Sequence, residues 1–313
     1  MARRPGIPVP SPRASVLSIV VSAGLTTALA GCGASGSPVA AAQTPAAVDA
    51  LGQASSPSAT ASATTGGSPQ TSASAAPQAA SSSPAGSSGP APGGLAGKVV
   101  VIDPGHNGGN AANPTAINAL VPMGFGQYKA CDTTGTNGAD GYSEHAFNFD
   151  VSERLDALLT ARGIKVILTR TNDTGVGPCV NIRAAIGNDA HADAAISIHA
   201  DGYDGSGHGF QVIEASSSAG GSANDAASNR LSQDMHASML SGSGFTPATY
   251  IGTDGYESRT DLAGLNLSTV PKILVECGNM RDAGDLAREE SATDRQQLAQ
   301  SLADGIIAFL SSH

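Results

Sequence analysis

Four side chains of this sequence have the chemistry of metal-assisted hydrolysis: His106, Glu144, His199 and Glu276. Two imidazoles and one carboxylate, with a fourth position open, are what a catalytic zinc needs. Such an ion polarises an amide carbonyl and brings the pKa of a bound water down to about 7. A further carboxylate, outside the ligand set, must take the proton from that water and pass it to the leaving nitrogen. His106, Glu144 and His199 suit the first task, and Glu276 suits the second. There is no H-E-x-x-H helix, so the pattern is not that of the common zincins.

Each residue alone has an ordinary reading. His106 can simply hydrogen-bond within its turn, and His199 can end a strand with a satisfied ring. Glu144 can favour a helix N-terminus through the dipole. Glu276 is harder to explain that way, because "ILVEC" sets a carboxylate in an apolar strand, where an unpaired charge is expensive. What joins the four is the order of elements that carry them.

"KVVVID" (98–103) is a continuous β-branched run, the pattern of a buried strand, and "PGH" delivers His106 directly after it. After a long loop, 107–142, Phe147, Val151, Leu155, Leu158 and Leu159 recur at helical spacing, with Ser143 as N-cap and Gly163 as stop. "IKVILTR" is a second strand, "VNIRAAIGNDAHA" a helix and "DAAISIHADG" a third strand. "GFQVIEA" reads as another strand and "NDAASNRLSQDMHASML" as a helix. "KILVECG" is the last clear strand, and "DRQQLAQSLADGIIAFLSS" a closing amphipathic helix. This rhythm predicts a single α/β domain with a mostly parallel twisted sheet covered by helices. Loops leaving the carboxyl ends of parallel strands emerge on one edge, where ligands bind. His106, His199 and Glu276 all sit at such ends, and Glu144 opens the helix returning from the same edge.

The rest of the chain says where this domain works. Arg3, Arg4 and Arg13 precede "ASVLSIVVSAGLTTALAGC", an apolar stretch ending in small residues, the layout of an export signal over 1–32. "LAGC" resembles the bacterial lipobox, with Cys32 as the lipidated residue and the membrane as its partner; "ALA" at 28–30 leaves ordinary cleavage and secretion open. Residues 33–97 are almost entirely Ala, Ser, Gly, Pro, Thr and Gln, too poor in apolar bulk to fold, and read as a tether. Folding is left to 98–313. The net charge is −10; removing three arginines and Asp49 leaves about −12 on that part, which argues against nucleic acid as partner. Of four cysteines, Cys32 is taken if lipidated and Cys277 lies in an apolar run. Cys131 and Cys179, in Gly/Thr/Pro-rich loops, are the natural disulfide pair. His145 and His236 read as helix-surface residues, His191 as a helix-end residue, and His208 as a candidate for the cleft wall.

"VVIDPGH", the Glu heading the next helix, "VILTR", "IRAAIGN" before "ADAAISIHAD", and "ILVECGNM" resemble, in order, the zinc-dependent N-acetylmuramoyl-L-alanine amidases of the amidase-3 type. The resemblance spans essentially all of 98–313. It implies a parallel-sheet amidase acting on peptidoglycan or muropeptides in the cell envelope. The bond cut would join the lactyl group of muramic acid to the first alanine of the stem peptide. Family roles fall on His106, Glu144 and His199 for one Zn2+ per domain and on Glu276 for catalysis. Many relatives have His-Gly-Gly where this chain has His106-Asn107-Gly108-Gly109, and its 107–142 loop is long. Two other readings stand beside this one: a different zinc peptidase of the envelope, and a non-catalytic muropeptide-binding lipoprotein. A Cys277 nucleophile is disfavoured, since an apolar strand raises a thiol's pKa.

Overall fold

The computed structural model describes residues 94–312. The export segment with Cys32, and nearly all of the 33–97 stretch, lie outside the described residues. Leu95, expected in the tether, is already buried in the core, so the folded part begins slightly before Lys98.

The elements in chain order are β1 (Val99–Pro104), α1 (Pro114–Ile117), β2 (Leu120–Gly124), β3 (Gln127–Ala130), α2 (Glu144–Thr160) and β4 (Lys165–Leu168). Then follow α3 (Val180–Asp189), β5 (Ala194–Asp201), β6 (Gln211–Ala215), α4 (Gly221–Gly242) and β7 (Tyr256–Arg259). The chain closes with α5 (Ala263–Asn266), β8 (Lys272–Asn279), α6 (Ala283–Glu290) and α7 (Ala292–Ser311). Six strands form one sheet in the order β4-β1-β5-β8-β6-β7, while β2 and β3 make a separate hairpin inside the long loop. Neighbours among β4, β1, β5 and β8 are parallel. β6 runs antiparallel to β8, a departure from the α/β rhythm. The reason is length: loop 202–210 is too short to hold the helical crossover that a parallel return requires.

Strand alternation separates packing from chemistry. Val100 and Ile102, Ile196 and Ile198, and Ile273 and Val275 face a large core built with α2, α4 and α7. Their alternate neighbours point to the opposite face. There α3 and the single-turn α5 form only two small apolar clusters, around Val101, Ala195 and Val270 and around Ile213, Leu265 and Leu274. Asp103, Ser197, His199, Lys272 and Glu276 share this thinly covered face. The thick face supplies stability, since truncating a residue such as fully buried Phe147 to Ala costs about 3–5 kcal/mol. No helix among the described residues is long and apolar enough to cross a membrane.

α2 ends as its sequence requires, with Gly163 at φ 80°, a conformation that suits a residue without Cβ. Ser143 occupies the N-cap position, but its side chain makes no capping bond.

Candidate active site

The β1 strand ends on Pro104, and Gly105 follows because nothing larger fits: a Cβ there would overlap the His199 ring. His106 then adopts a left-handed φ of 58°, costly for most residues and tolerated where the surroundings fix it. Its Nδ1 lies 3.1 Å from the Thr133 carbonyl oxygen, which can only accept, so Nδ1 donates and Nε2 faces inward. His199 extends from β5 and pairs in register with Glu276 on the adjacent β8. Glu144 reaches the same point from the first turn of α2.

Glu144 is the hub. Its Oε1 is 3.1 Å from His106 Nε2 and 2.9 Å from His199 Nδ1, while Oε2 accepts the Thr136 amide at 2.9 Å. Donor atoms of His106, Glu144 and His199 all lie within 4.8 Å of one another, among the described residues. Burial works to raise the Glu144 pKa, yet His106 and His199 hold it well below the ordinary carboxylate value. Burial likewise opposes the charged form of His106, but Glu144 and Asp132 outweigh it and raise its pKa to about 10. A cation binding through Nε2 must displace that proton, so its affinity rises with pH.

Glu276 behaves differently. It lines the same cavity of about 340 Å³, together with Thr136, Asp201 and Leu262. Its Oε2 is buried with no hydrogen-bond partner. Burial, then Glu144 and Asp201, push its pKa well above the ordinary value. One carboxylate of the site is thus held charged among imidazoles and the other is poised to carry a proton, the division that acid/base hydrolysis uses. Two imidazole nitrogens and one carboxylate oxygen, with an orphaned carboxyl beside them, fit zinc better than the all-oxygen preferences of magnesium or calcium.

Residues that the sequence did not single out hold this arrangement. Asp132 Oδ1 approaches His106 Nδ1 at 3.4 Å, and Arg183 from α3 donates to Asp132 at 3.2 Å and to Asp103 at 2.9 Å. Asp103 also accepts from Thr169 and Ser197, and Lys272 followed by Arg183 holds its pKa far below normal against the effect of burial. Cys131, next to Asp132, is disulfide-bonded to Cys179, the N-cap of α3, with the Cα atoms 4.4 Å apart. The bridge therefore ties the loop behind His106 to the helix that carries Arg183. Closing a loop of this length stabilises by roughly 2–4 kcal/mol.

The other histidines stand apart. His145 is half-buried and pairs with Asp173 at 2.7 Å. His236 is buried, not on the surface: its ring stacks on Tyr256 and packs against Phe210. His208 is exposed and lines neither cavity next to the cluster. Cys277 is fully buried, and burial followed by Glu276 pushes its thiol well above normal, which leaves it inert.

A sheet whose carboxyl edge gathers a donor set that could hold a metal, beside a buried unpartnered carboxyl, has the arrangement of a hydrolase. A family model described as N-acetylmuramoyl-L-alanine amidase, Amidase_3, matches residues 100–308. The chain is 44% identical over 226 residues to the N-acetylmuramoyl-L-alanine amidase Rv3717 of Mycobacterium tuberculosis, covering 71% of this chain and 90% of that protein. It is similar to the crystal structure of the amidase Ami1 from Mycobacterium smegmatis, with 43% identity and a TM-score of 0.66 over 70% of this chain and 99% of that one. AmiC2 of Nostoc punctiforme is more distant, at 26% identity and a TM-score of 0.51 over 68% and 97% of the two chains. The chain belongs to the Amidase_3 family of N-acetylmuramoyl-L-alanine amidases.

Proposed function

We propose that this protein hydrolyses the amide bond between the lactyl group of N-acetylmuramic acid and the L-alanine of peptidoglycan stem peptides. His106, Glu144 and His199 hold one zinc ion and Glu276 moves the proton. The observation that carries this is the opposite treatment of two neighbouring carboxyls: Glu144 is held ionised by two imidazoles, while Glu276 is buried without a partner. Zinc, when bound, polarises the scissile carbonyl and acidifies a water molecule. The chain's own residues do the rest. Thr133 and Asp132 orient His106, and the Thr136 amide fixes the outer oxygen of Glu144 so that its inner oxygen faces the cluster. Glu276 Oε2 takes a proton from the attacking water and returns it to the departing alanine nitrogen, which would otherwise leave as an amide anion. Positive charge beside it would favour the carboxylate form of Glu276, which accepts the water's proton before returning it.

The same proposal covers the cellular setting. Cys32 carries lipid after export, and residues 33–93 tether the domain to the membrane facing the wall. The lipobox-like "LAGC" at 29–32 and the Ala/Ser/Gly/Pro-rich composition that follows support this part. Zinc analysis of His199→Ala tests the site: loss of most metal and of all turnover is expected, and full zinc occupancy would exclude the assignment.

A further inference from the structure

The active-site cavity does not end at the metal cluster. A second cavity of about 140 Å³ shares His106, Thr133, His199, Leu262 and Leu274 with it, so the two form one cleft running down the thinly covered sheet face. α5 and the β3 strand of the hairpin wall this extension, and Lys272 lies at its floor. Resting on the amidase reading, we propose that it is a subsite for a carboxylate on the stem peptide, held by Lys129 and Lys272. The carboxylate is that of the residue next to the first alanine.

Leu262, Leu265, Leu274 and Val180 form the aliphatic part of its lining. Three cations, Lys129, Lys272 and Arg183, meet two carboxylates, Asp103 and Asp132, in that lining, which leaves positive charge in excess in a domain whose net charge is about −12. The Lys272 side chain is 3% exposed, and its one hydrogen bond among the described residues is a long one, 3.4 Å to Asp103 Oδ2. That oxygen already accepts from Ser197 at 2.9 Å, and the other is used by Thr169 and Arg183. An ammonium has three donors, so Lys272 retains unused capacity next to the cavity. Lys129, from the facing hairpin, donates to the Asp261 backbone carbonyl at 2.8 Å and has no carboxylate partner among the described residues. The Asp261 carboxylate itself is engaged by Arg259. Two under-used cations over aliphatic walls complement a short carbon stem ending in a carboxylate.

Chemistry fixes which group this is. The alanine bonded to the scissile nitrogen carries only a methyl. The next residue is the first that can present an acidic group, for instance the α-carboxylate of a γ-linked glutamate. A group placed there reaches past His106 and His199 while the scissile carbonyl stays at the cluster.

The test uses the full-length, zinc-loaded protein and two muramyl-L-alanyl-D-glutamyl substrates whose γ-carboxyl is blocked as the methylamide, one with a free α-carboxylate and the other its α-amide. Charge-assisted hydrogen bonds predict a preference of about tenfold in kcat/KM for the free carboxylate, carried by KM. Lys129→Gln should bring the ratio of the two substrates close to one, and Lys129→Arg should keep it above one. Competition by the two matching product dipeptides, both γ-methylamides and one of them the α-amide, needs no variant and should show the same tenfold order. Equal affinity of wild-type protein for both dipeptides would overturn the subsite, as would a Lys129→Gln variant that keeps the preference. Failure to cleave either substrate would instead overturn the amidase reading, and the dipeptide competition would still decide the subsite.

Discussion

Glu276→Gln separates proton transfer from metal binding in a single substitution. Glutamine keeps the size of the side chain, and because Glu276 Oε2 has no hydrogen-bond partner the exchange breaks no existing bond there. Glu276 is not among the three clustered donors, so zinc should remain at one per chain. Turnover should fall by about two to four decades, the worth of a positioned acid/base group, or about 3–5 kcal/mol in the barrier. KM should change little, because the loss is felt in the transition state. Stability offers an independent readout. The folded pKa of Glu276 is raised by burial and by Glu144 and Asp201, so with rising pH the unfolded chain loses this proton first. Stability of the chelated protein therefore falls as pH climbs above the unfolded value near 4.3. Glutamine is free of that linkage, so chelated Glu276→Gln protein should melt higher than chelated wild type at pH 7 and equally near pH 4. Glu144→Gln should lose zinc instead. Metal analysis, calorimetry and single-turnover kinetics on the pair are decisive: a Glu276→Gln variant that loses zinc while Glu144→Gln keeps it would show the roles to be reversed.

Three further outcomes are expected. Asp132→Asn weakens the contact to His106 Nδ1 and should lower zinc affinity by about 10- to 100-fold in a competition titration against a chromogenic chelator; an unchanged affinity would leave Thr133 as the sole orienting group. Both oxygens of fully buried Glu289 lack partners, and burial, with Asp285 and Glu144 adding to it, pushes its pKa to about 9. Folding must retain that proton while the unfolded chain gives it up, so Glu289→Gln should stabilise by on the order of 3 kcal/mol at pH 7 and by nothing at pH 4, read by urea denaturation. Cys32→Ser should release the protein from the membrane fraction; a variant that stays as firmly bound would remove the lipid from the account.

Much of the site was legible in the sequence because chemistry here is carried by strand ends. His106 and His199 each close a β-branched or aliphatic run, and Glu276 interrupts one, so the parallel order alone predicts where they meet. Glu144 was legible from the start of its helix. The supporting shell was not. Thr133 and Thr136 act through backbone groups, which no residue type announces, and Asp132 matters only because the disulfide and Arg183 bring its loop behind His106. The hairpin β2–β3 was hidden in a long loop, since its strands are short and β2 carries Pro and Gly. β7, with sequence YESR, lacks the apolar alternation that marks a half-buried strand. His236 was misread because its helix offers no strong stripe, and it is partner rings from Phe210 and Tyr256 that bury it.

The central claim concerns one bond, and mass spectrometry of purified muropeptides after incubation with the protein tests it most directly, with and without a chelator. The account predicts free N-acetylmuramic acid-containing glycan and an intact stem peptide bearing a new alanine N-terminus, with both products absent when the metal is removed. Cleavage within the stem peptide, with the lactyl–alanine amide left whole, would contradict it.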